Sequence, residues 1–154
     1  MTKLALPKID RKLISKKKDI VADLKKIIKA ENVLDHEDET RPFETDALSA
    51  YKQKPLVVIF PENTEEVSKI LKYCNQQRIK VVPRGAGTGL SGGALPLADS
   101  VLLCLGKFNR IIDIDYKNRC VVAQPGVTNL SITQAVQDKG FYYAPDPSSQ
   151  IACS

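Results

Sequence analysis

Pro83-Arg84-Gly85-Ala86-Gly87-Thr88-Gly89-Leu90-Ser91-Gly92-Gly93 is the stretch on which the reading of this chain turns. Five of the chain's eight glycines fall within its last nine residues. Glycine reaches positive φ and lets the backbone approach a ligand closely. Consecutive N–H groups in such a loop form an anion-binding concavity. Thr88 and Ser91 add hydroxyl donors, and Arg84 brings a fixed positive charge suited to phosphate. A diphosphate is the natural ligand for this chemistry. The competing reading is a glycine-rich turn that binds nothing.

Three phosphate motifs compete for the stretch. A P-loop needs GxxxxGK[ST], and no lysine follows any of these glycines. A dinucleotide GxGxxG does occur, from Gly87 to Gly92, with the acid Asp113 further on. That fingerprint also needs a helix starting at the glycines. Gly93 and Pro96 interrupt, and residues 94–100 are too short and broken to supply one. The third option, a loop that wraps a diphosphate without handing it to a helix, fits better.

Strands and helices follow outward from the loop. Leu56-Val57-Val58-Ile59-Phe60 is a β-branched apolar run between prolines and reads as a buried strand. Asn63 offers a helix N-cap with Glu66 as a capping-box partner. Val67, Ile70, Leu71 and Cys74 follow at helical spacing, which predicts a helix over residues 64–77. Residues 79–82 form the next strand, and the strand–helix–strand unit predicts parallel strands with a right-handed crossover. Residues 101–105 and 120–123 are further strands, and 111–114 alternates less cleanly. Thr128 caps a second helix to about Lys139, stopped by Gly140. Pro145-Asp146-Pro147-Ser148-Ser149 is turn chemistry.

With these segments in place, the chain resembles the FAD-binding domain of the vanillyl-alcohol oxidase/p-cresol methylhydroxylase type flavoproteins. It looks most like the branch of the glycolate oxidase FAD subunit and the D-lactate dehydrogenases. Four segments carry the likeness: Pro55 through Val67, Val82 through Gly93, Val122-Ala123-Gln124-Pro125-Gly126-Val127, and Pro145 through Ser149. The resemblance implies an α+β fold, the N-terminal subdomain of a PCMH-type domain, with a small sheet and flanking helices preceded by an amphipathic helix. Residues 1–46 would be an N-terminal helix and acidic linker, and residues 47–154 a partial FAD-binding domain. It implies that the backbone of Arg84, Gly85, Ala86, Gly87, Thr88, Gly89, Leu90 and Ser91 holds the FAD diphosphate. Pro83 would fix the start of the loop. Gln124, Pro125, Gly126 and the turn Pro145, Asp146, Pro147, Ser148, Ser149 would line the rest of the pocket. Covalent relatives often place a histidine in or near the loop, and this loop has none, so non-covalent FAD is expected.

Residues 1–30 hold ten basic against three acidic side chains, and residues 31–46 hold one against seven. Charge is therefore segmental. No Phe, Tyr or Trp interleaves the first thirty residues, which argues against nucleic-acid binding. Residues 9–30 read as an amphipathic helix with Leu13, Ile20, Val21, Leu24 and Ile27 on its apolar side, docked on the body or on an anionic surface. The only histidine lies in Asp35-His36-Glu37-Asp38-Glu39, read as a solvated loop rather than a metal site, because consecutive residues cannot all converge on one ion. Four dispersed cysteines form no CxxC pair and read as buried free thiols of a reducing cytosol.

No apolar run exceeds five residues, against about 20 for a membrane span. Residues 1–7 show no secretory-signal pattern. A cytoplasmic protein is expected, and the basic helix leaves room for peripheral attachment to an inner-membrane electron-transfer complex.

The resemblance also implies a second glycine loop and a substrate domain beyond residue 154. The expectation is therefore an N-terminal fragment of an FAD-linked oxidoreductase acting on a small 2-hydroxy acid such as glycolate or D-lactate, without turnover on its own. No catalytic base and no metal ligand is identified. The alternatives are a non-catalytic nucleotide- or partner-binding module, or the same fold with another flavin chemistry.

Overall fold

The computed structural model describes residues 7–145 and 147–154. Its centre is a four-stranded sheet. Strands β2 (Val57–Ile59), β3 (Lys80–Arg84) and β4 (Ser100–Cys104) run parallel, with β4 between the other two. Strand β1 (Val33–Leu34) pairs antiparallel with β2. Every residue of β2 and β4 is buried, which is why both read as continuous apolar runs.

Helix α4 (Thr64–Gln77) connects β2 to β3 and packs Val67, Ile70 and Cys74 against the sheet. The Asn63 side chain accepts the Glu66 N–H at 2.9 Å, as its position predicts. The Glu66 carboxylate reaches past the cap and accepts the Glu62 N–H at 2.7 Å. Arg78 ends the helix in the left-handed region at φ 56°.

The N-terminal amphipathic stretch forms two helices, α1 (Arg11–Ser15) and α2 (Lys17–Ile27), broken at Lys16. Asp10 caps α1, and its N–H donates to Asp99 at 2.7 Å. The Asp99 carboxylate is 1% exposed and also pairs with Lys80 at 2.7 Å. Burial alone would push its pKa up, but the Lys80 and Asp10 hydrogen bonds outweigh this and hold it below the ordinary carboxylate range. Ile20, Val21, Leu24 and Ile28 enter the same core as α4 and the sheet, so α2 docks by one face.

The acidic segment after α2 is more ordered than its composition predicts. A 3-10 turn (Ala30–Asn32) leads into β1, followed by helix α3 (Glu37–Thr40) and a second 3-10 turn (Arg41–Phe43). A two-residue strand is too short to show periodicity, and it forms only because β2 offers a free edge. The acidic side chains disperse: Asp35 pairs with Lys25, Glu37 with Lys54, and Glu39 accepts the His36 N–H. Among the described residues no group of His, Cys, Asp and Glu could hold a metal.

Beyond the sheet, β5 (Ile111–Asp115) and β6 (Cys120–Ala123) form a separate antiparallel pair with a bulge between Ile111 and Asp113. Helix α5 (Asn129–Val136) follows, capped by Thr128. A 3-10 turn and left-handed Gly140 end it where the sequence predicts. Gly126 joins this part to the body at close quarters, since a Cβ there would lie 2.6 Å from the Leu105 carbonyl oxygen and 2.8 Å from that of Phe108. Cys74 and Cys104 are buried as expected. Cys120 is exposed because it begins β6 on an open face of the β5–β6 pair, and Cys153, outside that pair, is half-buried.

Candidate functional site

The glycine-rich loop leaves the C-terminal end of β3 and returns to β4 without forming a helix among the described residues. A crossover helix at the glycines, which a dinucleotide-type fingerprint requires, is therefore absent from this segment. Ligands of parallel sheets gather beyond the carboxyl ends of the strands, and the loop lies there. Leu105 N–H donates to the Arg84 carbonyl at 2.8 Å, closing the end of the β3–β4 ladder. Pro83 is the fourth residue of β3, paired with Leu103, and so precedes the loop by one residue.

Past Arg84 the backbone donors run out of partners. Among the described residues, no N–H from 85 to 91 donates to a protein acceptor. Gly85, Ala86, Gly89, Leu90 and Ser91 are exposed, and Gly87 and Thr88 are half-buried. Leu90 is 70% exposed, with no apolar cover. Seven consecutive N–H groups at the ends of parallel strands are thus left without a protein acceptor, the kind of backbone that can take up an anion.

The loop is held from one side by residues 43–47. Ala47 N–H donates to the Gly87 carbonyl at 2.9 Å, and Arg84 Nη1 donates to the Thr45 carbonyl at 2.7 Å. The Arg84 guanidinium also lies over the Phe43 ring, 5.8 Å from its centroid. Gly87 has φ +75°, and a Cβ on it would sit 2.3 Å from Arg84 Nη2. The Arg84 side chain thus lies against the Gly87 backbone, anchored to residues 43–45. Nothing in the local pattern marks these residues, because their contacts reach across some forty positions of sequence.

On the other side, Pro125 of the 124–126 turn comes near the start of the loop. The Pro125 carbonyl lies 3.9 Å from the Cβ position of Gly85, and the Ser154 hydroxyl lies 2.8 Å from it. Gln124 is fixed by its side chain, which accepts the Arg110 N–H at 3.0 Å, and Gly126 N–H donates to Phe108 at 2.7 Å. The Pro147-Ser148-Ser149 turn folds onto the start of α5, with Leu130 N–H on the Gln150 carbonyl and Asn129 N–H on that of Cys153. Pro145 accepts from the Asn129 amide at 3.4 Å. Asp146 lies outside the described residues. The loop and the 124–126 turn are thus brought together, with the 147–154 segment reaching Gly85 through Ser154.

A separate groove lies elsewhere. It has a volume of about 740 Å³ between β5, β6, α5 and residues 140–145, and is lined by Tyr116, Val121, Ile132, Val136 and Phe141 among others. Of the residues the sequence reading places at the site, only Pro145 lines it. No buried thiol supplies a nucleophile: burial pushes Cys104 up to about 12 and Cys74 to about 11.

Comparison with known proteins now bears on this geometry. Residues 55–154 match the family described as FAD binding domain. The chain is 48% identical over 150 residues to the glycolate oxidase subunit GlcD of Escherichia coli (strain K12), covering 97% of this chain and 29% of that protein. It is 39% identical over 132 residues to the same subunit of Bacillus subtilis (strain 168), covering 86% and 28%. It is 36% identical over 128 residues to the D-lactate dehydrogenase of Anaerostipes hadrus, covering 82% and 27%. Among solved structures, p-cresol methylhydroxylase with substrate bound superposes with a TM-score of 0.72 at 24% identity, over 82% of this chain and 25% of that one. The chain therefore spans under a third of the length of the curated relatives it matches.

Proposed function

The chain belongs to the FAD binding domain family, and from that premise we propose that it is the N-terminal FAD-binding portion of an oxidoreductase that oxidises a small 2-hydroxy acid such as glycolate or D-lactate. The observation that carries the proposal is the run of free N–H groups from 85 to 91, braced by residues 43–47. In this reading residues 47–154 are the cofactor-binding part and residues 1–46 its N-terminal support. The relatives' names supply the substrate class.

Bound flavin would supply a two-electron acceptor for the hydride of the hydroxy-acid carbon. The protein's own task here is binding and orientation. The 85–91 amides would neutralise the diphosphate without a lysine or a metal. Gln124, Pro125, Gly126 and the 145–149 turn would border the remainder of the cofactor. No side chain of this chain is assigned to take the hydroxyl proton.

Binding is expected to be weak and saturable, since only part of the pocket is present to hold the isoalloxazine ring. Titration of the purified chain with FAD, read by flavin fluorescence, tests this; absence of saturable binding would contradict it. No dye-coupled oxidation of glycolate or D-lactate is expected from the chain alone, and measurable turnover would show that it carries its own base. The flavin is proposed to be held non-covalently, because the loop contains no histidine. Denaturing mass spectrometry should return the mass of the bare chain.

The aromatic groove beside β5 and β6 fits the same reading. Val122, Tyr142 and Ile151 are more than half exposed, and the two-stranded sheet has open edges, as expected of a surface on which the rest of the fold packs. Electron-transfer subunits and peripheral inner-membrane association complete the proposal, with the exposed Lys16 and Lys18 on the outer side of α1 and α2. No helix among the described residues is long and apolar enough to cross a membrane.

A further inference from the structure

Arg84 stands at the mouth of an anion cradle, where a direct phosphate ligand would be expected. Its side chain turns instead toward residues 43–45. One guanidinium nitrogen donates to the Thr45 carbonyl at 2.7 Å, and the plane lies 5.8 Å over the Phe43 ring. Among the described residues it forms no ion pair with a carboxylate. The guanidinium fills the space that a side chain on Gly87 would need, 2.3 to 2.6 Å from that Cβ position. Gly87, at φ +75°, is tied down a second time through its carbonyl, which accepts the Ala47 N–H at 2.9 Å. The left-handed residue at the middle of the glycine run is therefore fixed at two points, both on residues 43–47.

We propose that Arg84 is a positioning residue: with Phe43 and the 45–47 backbone it holds Gly87 left-handed and keeps the 85–91 amides converged, rather than gripping phosphate with its own side chain. A nest binds anions well only if its N–H groups are already aimed at one point, because ordering them on binding costs affinity. A planar fork that stacks on a ring while donating from its edge suits this task, and a lysine ammonium has no plane to stack. The inference rests on the reading of the loop as the diphosphate site, and its test separates the two.

Arg84→Lys and Phe43→Leu are compared with the unaltered chain by FAD titration and by ¹⁵N relaxation of the free protein. Arg84→Lys keeps the charge, and Phe43→Leu touches no phosphate. The proposal expects Arg84→Lys to weaken FAD about tenfold, from loss of one charge-assisted hydrogen bond and the stacking. Phe43→Leu should weaken it about threefold. In both variants the order parameters of residues 85–91 should drop toward the flexible range below about 0.6, while those of β2 and β4 stay rigid. Unchanged affinity and unchanged loop order in both variants would overturn it. Reduced affinity in Arg84→Lys alone, with the loop still rigid, would make Arg84 a direct ligand and also overturn it. If the unaltered chain binds no FAD, the diphosphate reading fails, and the relaxation data alone decide the positioning role.

Discussion

Strand β4, Ser-Val-Leu-Leu-Cys from 100 to 104, and strand β6, Cys-Val-Val-Ala from 120 to 123, are near twins as sequence. All five residues of β4 are buried, and none of β6 is. The first lies inside a sheet covered by α2 and α4 on the face that carries Val101 and Leu103. The second belongs to a two-stranded pair whose outer face, with Cys120 and Val122 exposed, has no cover among the described residues. An apolar run therefore shows that a strand forms, but not how much surrounds it. The body around β2 and β4 has a core of its own. The β5–β6 part carries the apolar residues of a covered sheet without the cover, which accords with a chain that spans 29% of its Escherichia coli relative.

Substitutions on the two sides put this contrast to the test. The largest effect is expected for Leu102→Ala, at a fully buried position packed with Val58 and Cys104. It should cost about 3 kcal/mol in urea unfolding. A loss below about 1 kcal/mol would mean that the body is not the stable half. Gly126→Ala comes next, at the seam between the two parts. Its methyl would press on the Leu105 and Phe108 carbonyls, and a cost of about 2 kcal/mol is expected from the same measurement. Asn63→Ala removes the cap of α4 and should lower stability by about 1 kcal/mol.

A pH series probes the ties that hold the N-terminal segment to the body. Hydrogen bonds from Lys29, Asn32 and Lys107 pull the Glu62 carboxyl down to about 2. A depressed acid stabilises the fold above its unfolded value, about 4.3, and that contribution fades as the pH falls toward 2. Glu62→Gln should therefore flatten the acid side of the stability curve and change little below pH 2. The smallest effect is expected for Val122→Ser, on the open face of β6, 52% exposed. It should shift stability by less than about 0.5 kcal/mol. A cost above about 1 kcal/mol would show that this face is covered in solution.

Much of the architecture was legible because its determinants are local. The β-branched runs of β2 and β4, the Asn63 and Thr128 caps and the Gly140 stop each act within a few residues. The absence of a helix after Gly93 was readable for the same reason. What escaped depends on distant partners. Strand β1 exists because β2 has an open edge, and the start of α1 is tied through Asp10 and Lys8 to Asp99 and Lys80. The inward turn of Arg84 depends on a carbonyl 39 positions away. Its charge and place beside the glycines suggested phosphate, and no local signal showed that Thr45 and Phe43 would claim it. The exposure of Cys120 was hidden likewise, because an apolar pattern does not report coverage.

The claim that the 85–91 amides are the diphosphate cradle can be tested residue by residue. A ¹⁵N–¹H correlation spectrum of the labelled chain, titrated with FAD, reads each of those N–H groups separately. Saturable shifts concentrated on residues 85–91 are expected, with smaller ones at Gln124 and Gly126. Shifts confined to the groove of Tyr116, Ile132 and Phe141, or no shifts at all, would contradict it.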